Sequence, residues 1–118
     1  MQIAPRDPAS LLPLTPAMFH VLVSLADADK HGYAIMKEVA ARTGGNVALS
    51  TGTLYGIIKR LLAEGLAVES RRRPAGDDDR RKYYRLTAFG RRVVEAEAER
   101  LRDMVTVARD KRLLRSES

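Results

Sequence analysis

One stretch, from Ser50 to Leu66, constrains the fold more than any other part of this 118-residue chain. Ser50 or Thr51 can cap the N-terminus of a helix, because a hydroxyl there accepts a hydrogen bond from a backbone N–H one turn in. Gly65 stands where helices commonly end in a left-handed conformation. Between them, apolar residues recur at helical spacing and predict a buried face made of Leu54, Ile58, Leu61 and Leu62. The stretch therefore predicts one amphipathic helix.

The opposite face of this helix contains Gly52, Tyr55, Gly56 and Lys59, with Arg60 towards its flank. Each glycine costs a helix roughly 1 kcal/mol relative to alanine. Close approach of a large partner would explain two of them on an exposed face. A nucleic-acid backbone is the partner that we expect.

Composition agrees with such a partner. The chain is 45% hydrophobic and 31% charged, which fits one small domain, and its net charge of +6 favours a polyanion. Cysteine is absent, which excludes disulfides and thiolate metal sites. No apolar run approaches the roughly 18 residues of a membrane span, and the first residues lack the order of a signal peptide. We therefore expect a cytoplasmic protein.

Two helices are predicted before the central stretch. Thr15 caps the first, with Pro16 at its first position, and its apolar face runs through Ala26. A polar turn over 27–30 follows, and a second helix runs from the His31-Gly32-Tyr33 triplet to about Thr43. Residues 1–14, which contain three prolines, are expected to form a flexible arm, with docking onto a neighbour as the alternative.

After Gly65 the pattern changes to alternation, which predicts a strand from Leu66 to Arg71 and a second strand over 82–86. Together they predict a β-hairpin with a long polar tip, called the wing below. Its cations are Arg71, Arg72, Arg73, Arg80, Arg81 and Lys82, and Asp77, Asp78 and Asp79 partly neutralise them. These cations can contact DNA phosphates or can form a solvated loop.

Thr87 caps a last helix that is predicted to reach at least Leu114, about 28 residues and about 40 Å long. Its apolar stripe includes Phe89, Val93, Val94, Leu101, Met104, Val105 and Ala108. A small domain cannot cover a stripe of this length, so the same helix of a second subunit is the expected cover. The alternative is that the helix folds back onto its own domain.

Two helices, a glycine turn and a third helix with a polar face predict a helix-turn-helix, and the basic hairpin makes it a winged variant. The position of Tyr55 is compatible with the major groove or with the edge of the core. Arg60 can contact a phosphate or form an ion pair within the domain. Catalysis has little support, because His20 and His31 lie beside apolar helix faces and are too few for a metal site, so we expect no enzyme, cofactor or metal.

These segments resemble the PadR family of winged-helix transcriptional regulators over roughly residues 14–107. The most specific elements are His31-Gly32-Tyr33, Gly52-Thr53-Leu54-Tyr55, Arg60-Leu61 with Gly65-Leu66, and Tyr83-Tyr84-Arg85-Leu86-Thr87 with Gly90. The single long last helix is similar to that of the shorter subgroup. Some short members bind planar drugs between tryptophans, a mode that does not carry over because the chain has no tryptophan.

The resemblance implies a mainly α fold with a small β-hairpin, in which 15–86 form a winged helix-turn-helix and 87–118 a dimerisation helix. It also implies a homodimer that binds double-stranded operator DNA, usually as a repressor released by a small-molecule effector. The implied DNA-binding residues are Ser50, Thr51, Thr53, Tyr55, Lys59, Arg72, Arg73, Arg80 and Arg81. The competing hypothesis is a winged-helix module that uses its basic face to bind an acidic protein.

Overall fold

The computed structural model describes residues 6–72, 76 and 80–115. In this part of the chain the structure is mainly α-helical with a small antiparallel sheet, as the sequence predicts. The helices are α1 (Pro16–Ser24), α2 (Gly32–Arg42), α3 (Thr51–Ala63) and α4 (Ala88–Asp110), and the strands are β1 (Lys30–His31), β2 (Ala67–Ser70) and β3 (Tyr83–Leu86). Among the described residues, no helix is long and apolar enough to cross a membrane.

The predicted helix caps are confirmed. The hydroxyls of Thr15, Ser50 and Thr87 each accept a hydrogen bond from the backbone N–H three residues later. The ring of His31 does the same for α2. Gly65 has a φ of 73° directly after α3, the left-handed conformation expected of a helix-ending glycine. Local chemistry therefore determines where the helices begin and where α3 ends.

The core lies where α1, α2, α3 and the first turns of α4 meet. Its fully buried aliphatic side chains include Val21, Leu22, Ile35, Val39, Leu54, Leu61, Leu66 and Val93. Gly90 lets α4 approach the end of α3, since a Cβ there would lie 2.0 Å from the carbonyl oxygen of Leu66. The N–H of Thr87 donates to the same oxygen at 3.1 Å. The beginning of α4 is thus fixed to the end of α3.

The sheet has three strands in the order β1-β3-β2, one more than the hairpin that the sequence predicts. The extra strand is β1, in which Lys30 pairs with Tyr84 and His31 with Tyr83. The polar turn expected over 27–30 therefore ends one residue early. A strand of two residues is too short to show an alternating pattern in the sequence. It forms because its backbone pairs with the edge of β3.

The prediction of a flexible arm over 1–14 is wrong for the part that the structure describes. Pro8–Leu11 form a 3₁₀ helix, and the Asp7 carboxylate accepts from the N–H of Ala9 at its start. Leu14 is buried, and Leu11 and Leu12 pack partly against the core. These leucines have an apolar surface to cover, which outweighs the extended preference of the prolines. Residues 1–5 lie outside the described residues.

The last helix ends at Asp110, before the predicted Leu114. Arg112 has a φ of 62°, and the N–H groups of Arg112 and Leu113 donate back to the carbonyls of Arg109 and Ala108. This is a Schellman ending with arginine in the position that glycine usually takes. The sequence therefore contains no stop signal at the point where the helix stops.

Three residues differ in burial or location from the sequence prediction. Leu62, assigned to the buried face of α3, is 39% exposed, because it lies about 100° around the helix from Leu61. Val93 and Val94, assigned to the dimer interface, are buried in the core of their own chain. Their burial follows from the close contact at Gly90, which turns the first half of α4 towards the domain.

Candidate nucleic-acid interface

The start of α3 presents hydroxyls and backbone donors to solvent. Ser50 Oγ accepts from the N–H of Thr53 at 3.1 Å and donates to Thr53 Oγ1 at 2.9 Å, so its hydrogen-bonding capacity serves mainly the cap. Thr53 and Thr51 are exposed and keep hydroxyl protons to donate. The first N–H groups of a helix have no acceptor within it, and they suit an anion. This end of α3 can therefore receive a phosphate.

The outer face of α3 is open. An added Cβ at Gly52 or at Gly56 would meet no heavy atom within 4 Å, so nothing inside the chain requires either glycine. Lys59 is exposed on the same face. A bulky partner could therefore approach the α3 backbone closely between the hydroxyl-rich start and the lysine.

Tyr55 is both exposed on the outer face of α3 and packed at the edge of the core, the two positions that the sequence left open. Its side chain is 47% exposed, and its hydroxyl also lies against α2, where a Cβ on Gly32 would come within 2.7 Å of Tyr55 Oη. The absence of a side chain at Gly32 thus lets the phenol hydroxyl of Tyr55 approach the start of α2. Tyr55 therefore contacts α2 while about half of its side chain stays exposed.

A cleft of about 430 Å³ separates α2 and α3 from the wing. Its aromatic wall consists of Tyr33, Tyr55 and Tyr84, and its basic wall consists of Arg80, Arg81 and Lys82. Arg81 Nη1 lies 3.4 Å from His31 Nε2, which ties the wing to the start of α2. Cations and aromatic rings side by side are a common arrangement in surfaces that contact nucleic acids.

Three of the predicted DNA-binding residues, Tyr55, Arg80 and Arg81, line the same cleft. The described members of the predicted set are all exposed, on α3 or beside it or at the base of the wing, namely Ser50, Thr51, Thr53, Tyr55, Lys59, Arg72, Arg80 and Arg81. Arg73 and the aspartates at 77–79 lie outside the described residues. Arg60 forms no ion pair within the described part of the chain, since Glu64 next to it pairs with Arg6.

Sequence reasoning missed two residues of this surface. Tyr33 is 62% exposed and lines the cleft, and the Lys37 ammonium lies 5.5 Å from the centre of its ring. Tyr33 projects from the first turn of α2, beside Tyr55 in the cleft, and Lys37 projects from the next turn. Tyr33 was assigned only to the beginning of a helix, although an exposed aromatic four residues before a lysine could have indicated this pair.

The outer half of α4 has an exposed apolar face. None of its residues after Glu97 is buried, and Met104 and Val105 are 56% and 41% exposed. Leu101 and Ala108, on the same stripe, are half-buried, as is Phe89 near the beginning of the helix. Of the predicted interface residues, Leu101, Met104, Val105 and Ala108 thus lie where a second subunit could reach them.

Both histidines have contacts that belong to the fold. His31 Nδ1 accepts from the N–H of Ala34 at 3.2 Å, which confirms the local hydrogen-bonding role predicted for it. Burial, and after it the nearby Arg42 guanidinium, lower the pKa of His20 below its ordinary value. Within residues 6–72, 76 and 80–115, no cluster of three or more histidine and acidic side chains could hold a metal ion.

The chain is similar to proteins of a known family. Residues 21–96 match the model described as the transcriptional regulator PadR-like family. A PadR family transcription regulator from Clostridium difficile R20291 is 26% identical, with a TM-score of 0.69 over 81% of this chain and 97% of that one. A transcriptional regulator from Clostridium thermocellum is also 26% identical, with a TM-score of 0.67 over 80% of this chain and 87% of that one.

A relative from Lysinibacillus sphaericus, described as an uncharacterized protein, is 31% identical over 71 residues. The match covers 60% of this chain and 64% of the relative, so the chain spans less than two thirds of that protein's length.

Proposed function

The chain belongs to the PadR-like family of transcriptional regulators, and from this premise we propose that it is a cytoplasmic, homodimeric repressor that binds operator DNA in a sequence-specific way. The observation that carries the proposal is the combination of an open α3 face with a basic cleft beside it. Gly52 and Gly56 leave room for a backbone, and Arg80, Arg81 and Lys82 stand across the cleft from Tyr55.

Each part of the surface has a distinct task in this proposal. α3 enters the major groove, where Tyr55 and Lys59 face base edges or phosphates. Thr51 and Thr53 bind a phosphate at the helix start, while Ser50 keeps the cap in place. Wing arginines, including Arg73 in the undescribed part of the wing, neutralise flanking phosphates.

A duplex titration over a salt series tests the proposal. With about eight phosphates neutralised per dimer, the slope of log K against log salt should be about −7. Fragments from the DNA flanking its own gene should bind more tightly than random sequence of the same length. Equal affinity for all duplexes, or no binding at about 50 mM salt, would favour the acidic protein partner instead.

Lys59→Ala provides the residue-level test. We expect weaker binding of every duplex and a slope that is less steep by about 1 per subunit, because one phosphate contact is lost. Lys111→Ala is the matched control, since Lys111 is an equally exposed cation beyond the end of α4. Unchanged affinity of the Lys59 variant, with circular dichroism equal to that of the wild type, would remove Lys59 from the site.

Release of the DNA by a small-molecule effector is the second part of the proposal. It is supported by a cleft of about 410 Å³ between α1 and α4, lined by Leu14, Phe19 and Leu101 with Glu97 and Arg100 at its polar end. A compound that releases wild-type protein from DNA should fail against His20→Trp, which fills the cleft from its rim. Release of both proteins at the same concentration would place the effector elsewhere.

A further inference from the structure

One carboxylate links the loop before β1 to both strands at the base of the wing. Asp29, in the loop between α1 and β1, accepts a hydrogen bond from the Ser70 hydroxyl at the end of β2. It also faces Arg85 on β3, with Arg85 Nη2 at 3.3 Å and Nε at 3.4 Å from Asp29 Oδ2. A single side chain therefore contacts both arms of the hairpin.

The Ser70 hydroxyl extends this connection into the wing. Because it donates its only proton to Asp29, its oxygen is left to accept, and it does so from the N–H of Arg72 at 3.2 Å and from Arg85 Nη2 at 3.3 Å. Ser70 is only 4% exposed, so these bonds form where water competes poorly. The backbone of Arg72, the first wing cation beyond β2 that is assigned to DNA binding, is thus held through Ser70 by Asp29.

The Asp29 network is more than an exposed ion pair, because hydrogen bonds to Ser70 and Arg85 act together. The side chain of Asp29 is 24% exposed and that of Arg85 43%, so an ion pair alone would contribute little. The carboxylate makes its bonds in the charged form: burial raises the pKa of Asp29, but the bonds from Ser70 and Arg85 outweigh it and the net pKa is lowered. Pairing of β3 with β1 and the burial of Tyr83 and Tyr84 also hold the base of the hairpin, and the Asp29 network adds the link to the backbone of Arg72.

We propose that Asp29 is a positioning residue for DNA binding, which fixes the direction of the wing through Ser70 and Arg85 and so sets where the wing cations meet the phosphates. The inference rests on the proposed function, since the wing is assumed to contact DNA.

Electrostatics alone makes the opposite prediction. Asp29 is an acidic group beside Arg72 and Arg85, and removing its charge raises the local positive potential. If the charge were all that mattered, Asp29→Ala would bind DNA more tightly. If positioning dominates, the same variant binds more weakly although the surface has become more basic. The sign of the change separates the two accounts.

The experiment compares Asp29→Ala with Asp27→Ala in a titration with duplex DNA flanking the gene. Asp27 belongs to the same loop and its side chain is 76% exposed, but its ion pair is with Lys30, so it controls for the loss of charge. We expect about tenfold weaker binding for Asp29→Ala and unchanged or slightly tighter binding for Asp27→Ala. In a background where Arg72, Arg80 and Arg81 are alanine, Asp29→Ala should cause no further loss.

A readout without DNA separates failure of this inference from failure of the proposed function. Asp29→Ala should speed hydrogen exchange at the amide of Arg72, measured by NMR, and leave the amides in the centres of α3 and α4 unchanged. Faster exchange at Arg72 with no DNA binding by the wild type would overturn the proposed function and, with it, this assignment. If the wild type binds DNA and Asp29→Ala matches Asp27→Ala in affinity and in exchange, Asp29 is not a positioning residue.

Discussion

Gly52 and Gly56 sit on the solvent side of α3 without a neighbour that requires them. Gly90 is different, because a side chain there would collide with the carbonyl oxygen of Leu66. Two glycines in exposed helix positions cost stability, whereas a glycine under a carbonyl permits a contact. The first pair can therefore be replaced without harm to the fold, which makes their role in binding directly testable.

Gly56→Ala, inside α3, should stabilise the protein by roughly 1 kcal/mol, and Gly52→Ala, in the first turn, should stabilise it by less. Both variants should nevertheless bind DNA more weakly, because the new methyl group occupies space that the backbone of the duplex needs. Thermal unfolding and duplex titration measure the two effects. Gly90→Ala is the opposite control and should unfold at a lower temperature than the wild type. Alanine variants of α3 that are more stable and bind DNA equally well would contradict close approach.

Glu97 is an acidic residue in an apolar place, with 1% of its surface exposed. Its Oε2 accepts the N–H of Leu14 at 2.7 Å, and its Oε1 pairs with Arg100. The bond from Arg100 is the main cause of a lowered pKa, which burial opposes and the Leu14 N–H supports. The carboxylate thus fastens the segment before α1 onto α4.

This lowered pKa predicts a pH-dependent contribution to stability. The folded protein releases the Glu97 proton more readily than the unfolded chain, so the contribution is complete above the unfolded pKa and is lost as the pH falls through the folded pKa. Glu97→Gln should cost on the order of 1 kcal/mol at pH 7 and less in acid. Urea unfolding at both pH values measures it, with exposed Glu99→Gln as control. A cost that does not change with pH would contradict this role.

Among the elements, those with local signals were predicted correctly. Thr15, Ser50 and Thr87 are caps whose partners lie three residues away, and Gly65 ends α3 with a conformation that its own lack of a side chain allows. Such features depend on a few neighbouring residues. The sequence therefore contained enough information to place these helix boundaries.

The features that sequence reasoning missed depend on distant partners. β1 exists because it pairs with β3, more than 50 residues later. Glu97 is buried because its acceptor oxygen meets the N–H of Leu14, 83 residues earlier. The same holds for the site: α3 was identified from its own pattern, whereas Tyr33 joins the cleft only through the fold. The end of α4 was missed because arginine replaces the usual glycine.

The outer half of α4 is the element through which two subunits are predicted to associate. Leu101→Asp with Met104→Asp should give a monomer by light scattering at micromolar concentration, because the exposed apolar stripe would become charged. The monomer should bind DNA much more weakly, since one recognition helix remains per particle. Val68→Asp places a charge on an exposed valine of β2, outside the α4 stripe, and should stay dimeric. A monomeric wild type would refute the dimer outright.

At the scale of the whole molecule, two copies joined through α4 would present two α3 helices and two wings to one side of a duplex. For such a dimer the recognition helices should reach successive major grooves, about 34 Å apart. This spacing is a property of the pair, and no single residue or helix determines it. It is also the feature that most clearly distinguishes an operator-binding dimer from a basic surface that attracts any acidic partner.

Hydroxyl-radical protection mapping on the DNA that flanks the gene tests this central claim most directly. The account predicts two protected patches with centres about 10 base pairs apart on one face of the duplex, with weaker protection on the flanks from the wings. The wing variant with alanine at Arg72, Arg80 and Arg81 should keep the two central patches and lose the flanking protection. A single patch, or uniform protection along the duplex, would contradict a dimer that places one α3 helix in each of two successive grooves.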